Sequence, residues 1–206
     1  MAPIQVNPQL HTFHSPTYKS VVEEAIYFLE GTPIHPLPPD SRFQGSGVYA
    51  IYYSGPLEHY QQISVANQQE CRYPIYVGKA VPPGWRAARA PKTDSTRPLF
   101  DRLREHGRNI QLGEGLGIGD FSCRFVILEG IETDLISSVE SRMIDKFRPV
   151  WNTVVDGFGN HDPGSGRYEQ ARSEWDVLHP GRPWADKLKG KAPLRKDILD
   201  KLRRSP

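Results

Sequence analysis

The stretch GVYAIYYSGPLEHYQQISVANQQECRYPIYVG, residues 47–78, is the part of the chain on which the fold turns. Its two ends, GVYAIYY (47–53) and YPIYVG (73–78), are dense in β-branched and aromatic side chains, which suit a pleated, half-buried surface. Each reads as a strand. The polar segment between them, 54–72, is too long for a tight hairpin loop and has room for structure of its own.

Toward the N-terminus, a proline-rich connector, PIHPLPPD, excludes a helix or a central strand, because proline offers no backbone donor. Before it, residues 17–30 carry Val21, Val22, Ala25, Ile26 and Leu29 at helical spacing, ending at Gly31. Toward the C-terminus, 79–98 reads as a long basic loop containing Trp85, followed by a helix from Pro98 to Ile110. FSCRFVIL (121–128) is a third strand, and Thr133 to Phe147 is an amphipathic helix stopped by Pro149. Residues 151–184 read as irregular, and a short basic helix closes the chain near 193–203.

Composition narrows the function. Hydrophobic residues make up 37% and charged residues 24% of the 206, enough for a packed core and too ordered a mixture for wholesale disorder. No apolar run is long enough to span a membrane, so no membrane partner is expected. The first residues show neither the basic nor the apolar region of a secretion signal. Cys71 and Cys123 are far apart and form no metal knuckle, which favours a reducing, cytoplasmic setting. Gly113, Gly115, Gly117 and Gly119 alternate and precede a strand, so they do not form a nucleotide-binding loop, and no nucleotide cofactor is expected.

The net charge of +2 conceals its distribution. Residues 72–110 hold nine Lys or Arg against three acids, and 182–206 hold nine against three, whereas 1–71 and 111–181 are acidic. Two local basic blocks suggest a polyanion-binding surface, and the arginines of the first suit phosphate and guanine contacts.

The tripeptides Gly47-Val48-Tyr49 and Tyr76-Val77-Gly78 resemble the pair that names the GIY-YIG nucleases. The other positions of that pattern follow in order: Arg102 and His106 on the next helix, Glu140 on the one after, and Asn152 just beyond it. The likeness spans roughly 43–155 and implies an α+β fold, a small three-stranded antiparallel sheet flanked by helices. The chain is then one endonuclease domain over 1–206, with an N-terminal extension (1–42) and a C-terminal extension (156–206).

The residues also make physical sense. Tyr49 and Tyr76, on neighbouring strands, place two phenols on one sheet face, ready to meet an attacking water and a phosphate oxygen. Arg102 and His106 share a helix face. At about 100° per residue from Leu99, Arg102 falls near −60° and His106 near −20°, bordering the buried seam of Leu103 and Ile110. Arg104 and Arg108 face away, and read as DNA-backbone contacts or a solvated face. Lys79, Arg86 and Arg89 are further candidates for contact with DNA.

Glu140 lies between Ile136 and Ile144 in the apolar stripe of its helix, where an unpaired carboxylate is costly. A bound divalent cation removes that penalty, and oxygen ligation suits Mg²⁺; a buried ion pair with an arginine is the alternative. By resemblance, Asn152 supports the site through hydrogen bonds. The implied chemistry is Mg²⁺-dependent phosphodiester hydrolysis, with Arg102 balancing charge and Tyr49, helped by His106, activating water.

Stretches such as RFQGSGVYAIYY, YPIYVGKAV, REHGRNI, DFSCRFVI and WNTVVDGFGNH are similar to the type II restriction enzymes of the superfamily that cut the palindrome CCGCGG. That likeness implies double-stranded DNA as substrate and a two-fold homodimer, since each site cuts one strand. A structure-specific repair nuclease and a non-catalytic DNA-binding module are the rival expectations.

Overall fold

The computed structural model describes residues 6–82, 84–85 and 96–205, so Arg86 and Arg89 lie outside the described residues. In chain order the elements are α1 (Tyr18–Gly31), β1 (His35–Pro36), β2 (Gly47–Tyr53), α2 (Gln61–Asn67), β3 (Tyr76–Ala80), α3 (Pro98–Leu112), β4 (Phe121–Ile127), α4 (Ile136–Phe147), α5 (Val150–Thr153), α6 (Glu174–Leu178) and α7 (Arg195–Arg203). The architecture is α+β, a small antiparallel sheet between helices.

The sheet has four strands in the order β1-β4-β2-β3, where three were expected. The extra strand is the two-residue β1, which pairs His35 with Cys123 and Pro36 with Ser122. It comes from the proline-rich connector and lies at the sheet edge, where proline's missing donor costs no ladder bond. Strand β3 starts at Tyr76, later than the sequence suggested, although Ile75 already donates to the Ile51 carbonyl at 2.8 Å. The 54–72 segment contains α2, and the expected 79–98 loop loses its first two residues to β3, which ends at Ala80.

Every residue of β2 is buried, because the strand is hydrogen-bonded on both sides and covered on both faces. Its alternate residues feed two separate cores. Val48, Ala50 and Tyr52 join Val22, Ile26 and Leu29 of α1 and Ile136, Val139 and Met143 of α4. Tyr49, Ile51 and Tyr53 join Leu99, Leu103 and Ile110 of α3, together with Trp151, Phe158 and Trp175. Burying each such side chain is worth roughly 1.5–3 kcal/mol, so both faces are strongly fixed in register.

The expected irregular segment 151–184 is therefore not a peripheral tail. Its aromatic residues roof the α3 face of the sheet and reach the candidate site. Helix α4 is preceded by a 3-10 segment, Gly130–Leu135, and ends at Arg148, whose φ of 48° turns the chain before Pro149. No helix among the described residues is long and apolar enough to cross a membrane.

Candidate active site

The site forms along edge strand β3. The register sets Tyr49 opposite Gly78 and Ile51 opposite Tyr76, so the two tyrosines are diagonal neighbours on the α3 face. Their rings are 6.3 Å apart. A Cβ on Gly78 would lie 2.4 Å from the Tyr49 hydroxyl, because that ring lies across the glycine. On Gly47 a Cβ would come within 1.9 Å of the Val126 carbonyl oxygen on β4. Both glycines of the paired tripeptides are thus required by close approach.

Helix α3 delivers the next two groups. His106 is fully buried, with Nε2 2.6 Å from the Tyr49 hydroxyl and Phe158 stacked on its ring at 4.5 Å. Among the described residues its Nδ1 meets no hydrogen-bond partner, and no carboxylate holds the imidazole as a cation. Burial, reinforced by the Arg102 charge, pushes the His106 pKa well below its ordinary value. Burial likewise raises the Tyr49 phenol well above the usual tyrosine range, with Tyr76 adding to the shift and Arg102 opposing it. Tyr76 is raised as well, again chiefly by burial and against the pull of Arg102.

The two phenols are not equivalent. Tyr49 has no exposed surface, whereas Tyr76 is half-buried and stands between it and the loop at Gly159. The expectation that both stand ready for water is corrected: Tyr49 sits behind, against His106.

Arg102 is the arginine brought to the tyrosines, as the helix geometry suggested; its side chain is only 17% exposed. It donates to Glu105 Oε2, to His161 Nε2 and to the Gly159 carbonyl, each at 2.7 Å. Arg104 instead pairs with Asp101 at 3.0 Å and lies near the Phe100 ring, and Arg108 is exposed.

Glu140 approaches from α4, close enough for its charge to raise both tyrosines. It is half-buried and ion-paired with Lys79 at 2.8 Å, which corrects the expectation of an unpaired carboxylate. Alternation along β3 explains the partner: Tyr76 and Gly78 face α3, so Lys79 faces α4 and also bonds Ser137 at 3.2 Å. Lys79 is a strand residue, not a loop lysine. Among the described residues no group of three or more His, Cys, Asp or Glu gathers to hold a metal. The donor set fits a cation that keeps most of its waters and takes one carboxylate, and not a fully protein-ligated centre.

Asn152 on α5 finishes the edge of β3. Its Oδ1 accepts from the Val77 amide and its Nδ2 donates to the Val77 carbonyl, both at 2.8 Å. The Trp151 amide donates to the Ile75 carbonyl at 2.9 Å, so α5 takes the place of a further strand.

Three participants were not singled out from sequence: Glu105, His161 and Arg182. Arg182 is wholly buried, donates to Asp176 at 2.6 and 2.7 Å, and lies between the Trp175 and Trp184 rings. Its remaining donors hold the carbonyls of Gly157, Phe158 and Asn160. A lone arginine beyond the expected core carried no sequence signal for this.

The family model of the Eco29kI GIY-YIG domain matches residues 41–205. No curated protein matches the chain.

Proposed function

Because the chain belongs to the Eco29kI GIY-YIG family and is a nuclease acting on DNA, we propose that it is a Mg²⁺-dependent type II restriction endonuclease cutting double-stranded DNA at a short palindrome, CCGCGG, as a homodimer. The observation that carries the catalytic reading is the buried contact of Tyr49 with His106 beside Tyr76 and Arg102.

In this reading a water admitted with the phosphate past Tyr76 gives its proton to Tyr49 as Tyr49 passes its own to Nε2 of His106. Burial keeps the imidazole neutral and so able to accept, while also weakening it as a base. Tyr76, the more exposed phenol, orients the water or a phosphate oxygen. Arg102 faces the charge that builds on the phosphate and is already fixed before substrate arrives. Mg²⁺ held by Glu140 would supply Lewis-acid polarisation of the phosphate and stabilise the leaving oxygen. Lys79, its partner here, would then be released toward the DNA backbone.

Plasmid DNA incubated with the purified protein in Mg²⁺ and in EDTA tests this. Discrete fragments in Mg²⁺ alone, ending at CCGCGG, are expected. Smears or junction-specific nicks would indicate a repair nuclease, and intact DNA a binding module. Glu140→Gln is expected to abolish cleavage while DNA binding survives; near-normal cleavage would remove the metal role from Glu140.

A further inference from the structure

We propose that His161, together with Glu105, positions Arg102 for catalysis, so that the C-terminal segment completes the active site; the inference rests on the nuclease reading above. Residue 161 is 59 positions from Arg102 in the chain, yet its Nε2 lies 2.7 Å from Nη1 of the guanidinium. A guanidinium only donates, and the same Nη1 also lies 3.3 Å from Nδ1, so it meets both ring nitrogens. The ring's Nδ1 lies 2.7 Å from Glu105 Oε1, so the imidazole also faces the carboxylate. The other oxygen of Glu105 accepts from Nη1 of Arg102 at 2.7 Å. Arg102, Glu105 and the His161 ring thus meet in one close cluster, and Nη2 is tied separately to the Gly159 carbonyl at 2.7 Å.

A surface ion pair on a helix is ordinarily worth little, and Glu105, the more exposed partner, would alone hold Arg102 only loosely. The difference lies in how firmly the third partner is placed. Gly159 and His161 follow a loop whose carbonyls at Gly157, Phe158 and Asn160 are gripped by the buried Arg182. A Cβ at Gly159 would lie 2.5 Å from the Tyr76 hydroxyl, so the loop is packed against the site as closely as a glycine allows. An arginine side chain has large rotamer freedom, and this frame removes it before the phosphate binds. His161 acts through Arg102 and does not itself touch the reacting atoms.

The test compares full-length wild type, His161→Phe, His161→Gln, Arg102→Ala and the His161→Phe/Arg102→Ala double variant on plasmid DNA in Mg²⁺, with melting temperatures alongside. His161→Phe is expected to lower kcat roughly 10- to 100-fold, with KM, DNA binding and melting temperature little changed. His161→Gln, whose Oε1 keeps an acceptor for Arg102, is expected to recover most of the rate. In the Arg102→Ala background, His161→Phe is expected to cost less than about two-fold, because its effect has no remaining route. A His161→Phe enzyme with wild-type kcat overturns the inference while leaving the nuclease reading intact. So does a full loss from His161→Phe in the Arg102→Ala background, or a His161→Gln enzyme no better than His161→Phe. A wild-type protein that leaves DNA intact overturns both.

Discussion

The hydroxyl of Tyr49 and Nε2 of His106 lie 2.6 Å apart in a part of the molecule that has no exposed surface at either residue. Burial acts on the two in opposite directions, holding the phenol protonated and the imidazole neutral. Any transfer along the pair then runs from the tyrosine to the histidine, and burial makes it uphill. Tyr49→Phe keeps the ring and removes that path. Cleavage is expected to fall by roughly 10²- to 10⁴-fold, the usual worth of a positioned acid or base. Single-turnover cleavage beside a gel-shift titration measures it, and a loss of less than about ten-fold with unchanged binding would assign the proton transfer elsewhere.

The same pair fixes a pH dependence. The charged form of His106 is disfavoured by burial and by Arg102, so its titration lies well below the usual histidine range. As base, His106 must be neutral, and activity is lost only when pH falls through that depressed value. The profile of kcat/KM, which reports the free enzyme, is expected to show no acidic limb above about pH 6.5. An acidic limb centred at or above that pH, absent from a His106 variant, would contradict the assignment.

Gly78→Ala tests why the second tripeptide ends in glycine. The new methyl would lie 2.4 Å from the Tyr49 hydroxyl and 2.9 Å from the Tyr76 ring. Tyr49 cannot retreat, since His106 and the α3 face close behind it. Displacing both phenols is expected to cost roughly 10²-fold in kcat, beside a loss of about 1–3 kcal/mol in stability from overpacking. A variant that melts a few degrees lower yet cleaves at the wild-type rate would show that the phenols tolerate displacement.

These residues also show what was legible from sequence. Strand and helix periodicity located the elements, and the position of Arg102 near the apolar seam of its helix separated it from Arg104 and Arg108. Periodicity could not supply partners across the chain. Glu140 sits in an apolar stripe as expected, but alternation along β3 sends Lys79 to the same face and pairs it. The edge strand β1 was hidden because two residues among prolines carry no periodic signal. His161 and Arg182 were invisible because their roles are set by a loop that packs back onto the sheet, and no local pattern encodes that return.

Asn152→Ala is expected to loosen the edge strand. It leaves the amide and the carbonyl of Val77 without the partners they now have at 2.8 Å. Two hydrogen bonds at a partly buried edge amount to about 1–3 kcal/mol, or a fall in melting temperature of roughly 2–10 °C for a chain of this size. Because Tyr76 and Gly78 flank Val77, cleavage is expected to drop as well. Calorimetry and cleavage assays on one preparation check both, and an unchanged melting temperature would show that water replaces the side chain at no cost.

Stability should also respond to acid through His179, which lies far along the chain from the catalytic residues. Its Nε2 is 2.9 Å from the Tyr60 hydroxyl, which in turn accepts from the Trp151 indole at 2.9 Å. Its Nδ1 is 3.1 Å from the Glu114 carbonyl, so the neutral ring donates there and accepts from Tyr60. Burial depresses its pKa to about 4, with the Glu114 hydrogen bond opposing and His59 and Arg195 adding smaller shifts in the same direction as burial. His59 is lowered too, again by burial, and so adds in the same sense. Between an unfolded value near 6.5 and the folded value, the unfolded chain binds the extra proton, so stability falls as pH falls. The loss from His179 is on the order of 3 kcal/mol across that window and is absent above it. Urea unfolding at pH 7 and pH 5 is expected to show a clear drop in wild type and a smaller one in His179→Gln. Equal drops in the two proteins would mean that His179 stays uncharged in the unfolded chain or is readily charged in the folded one, and either result rejects the assignment.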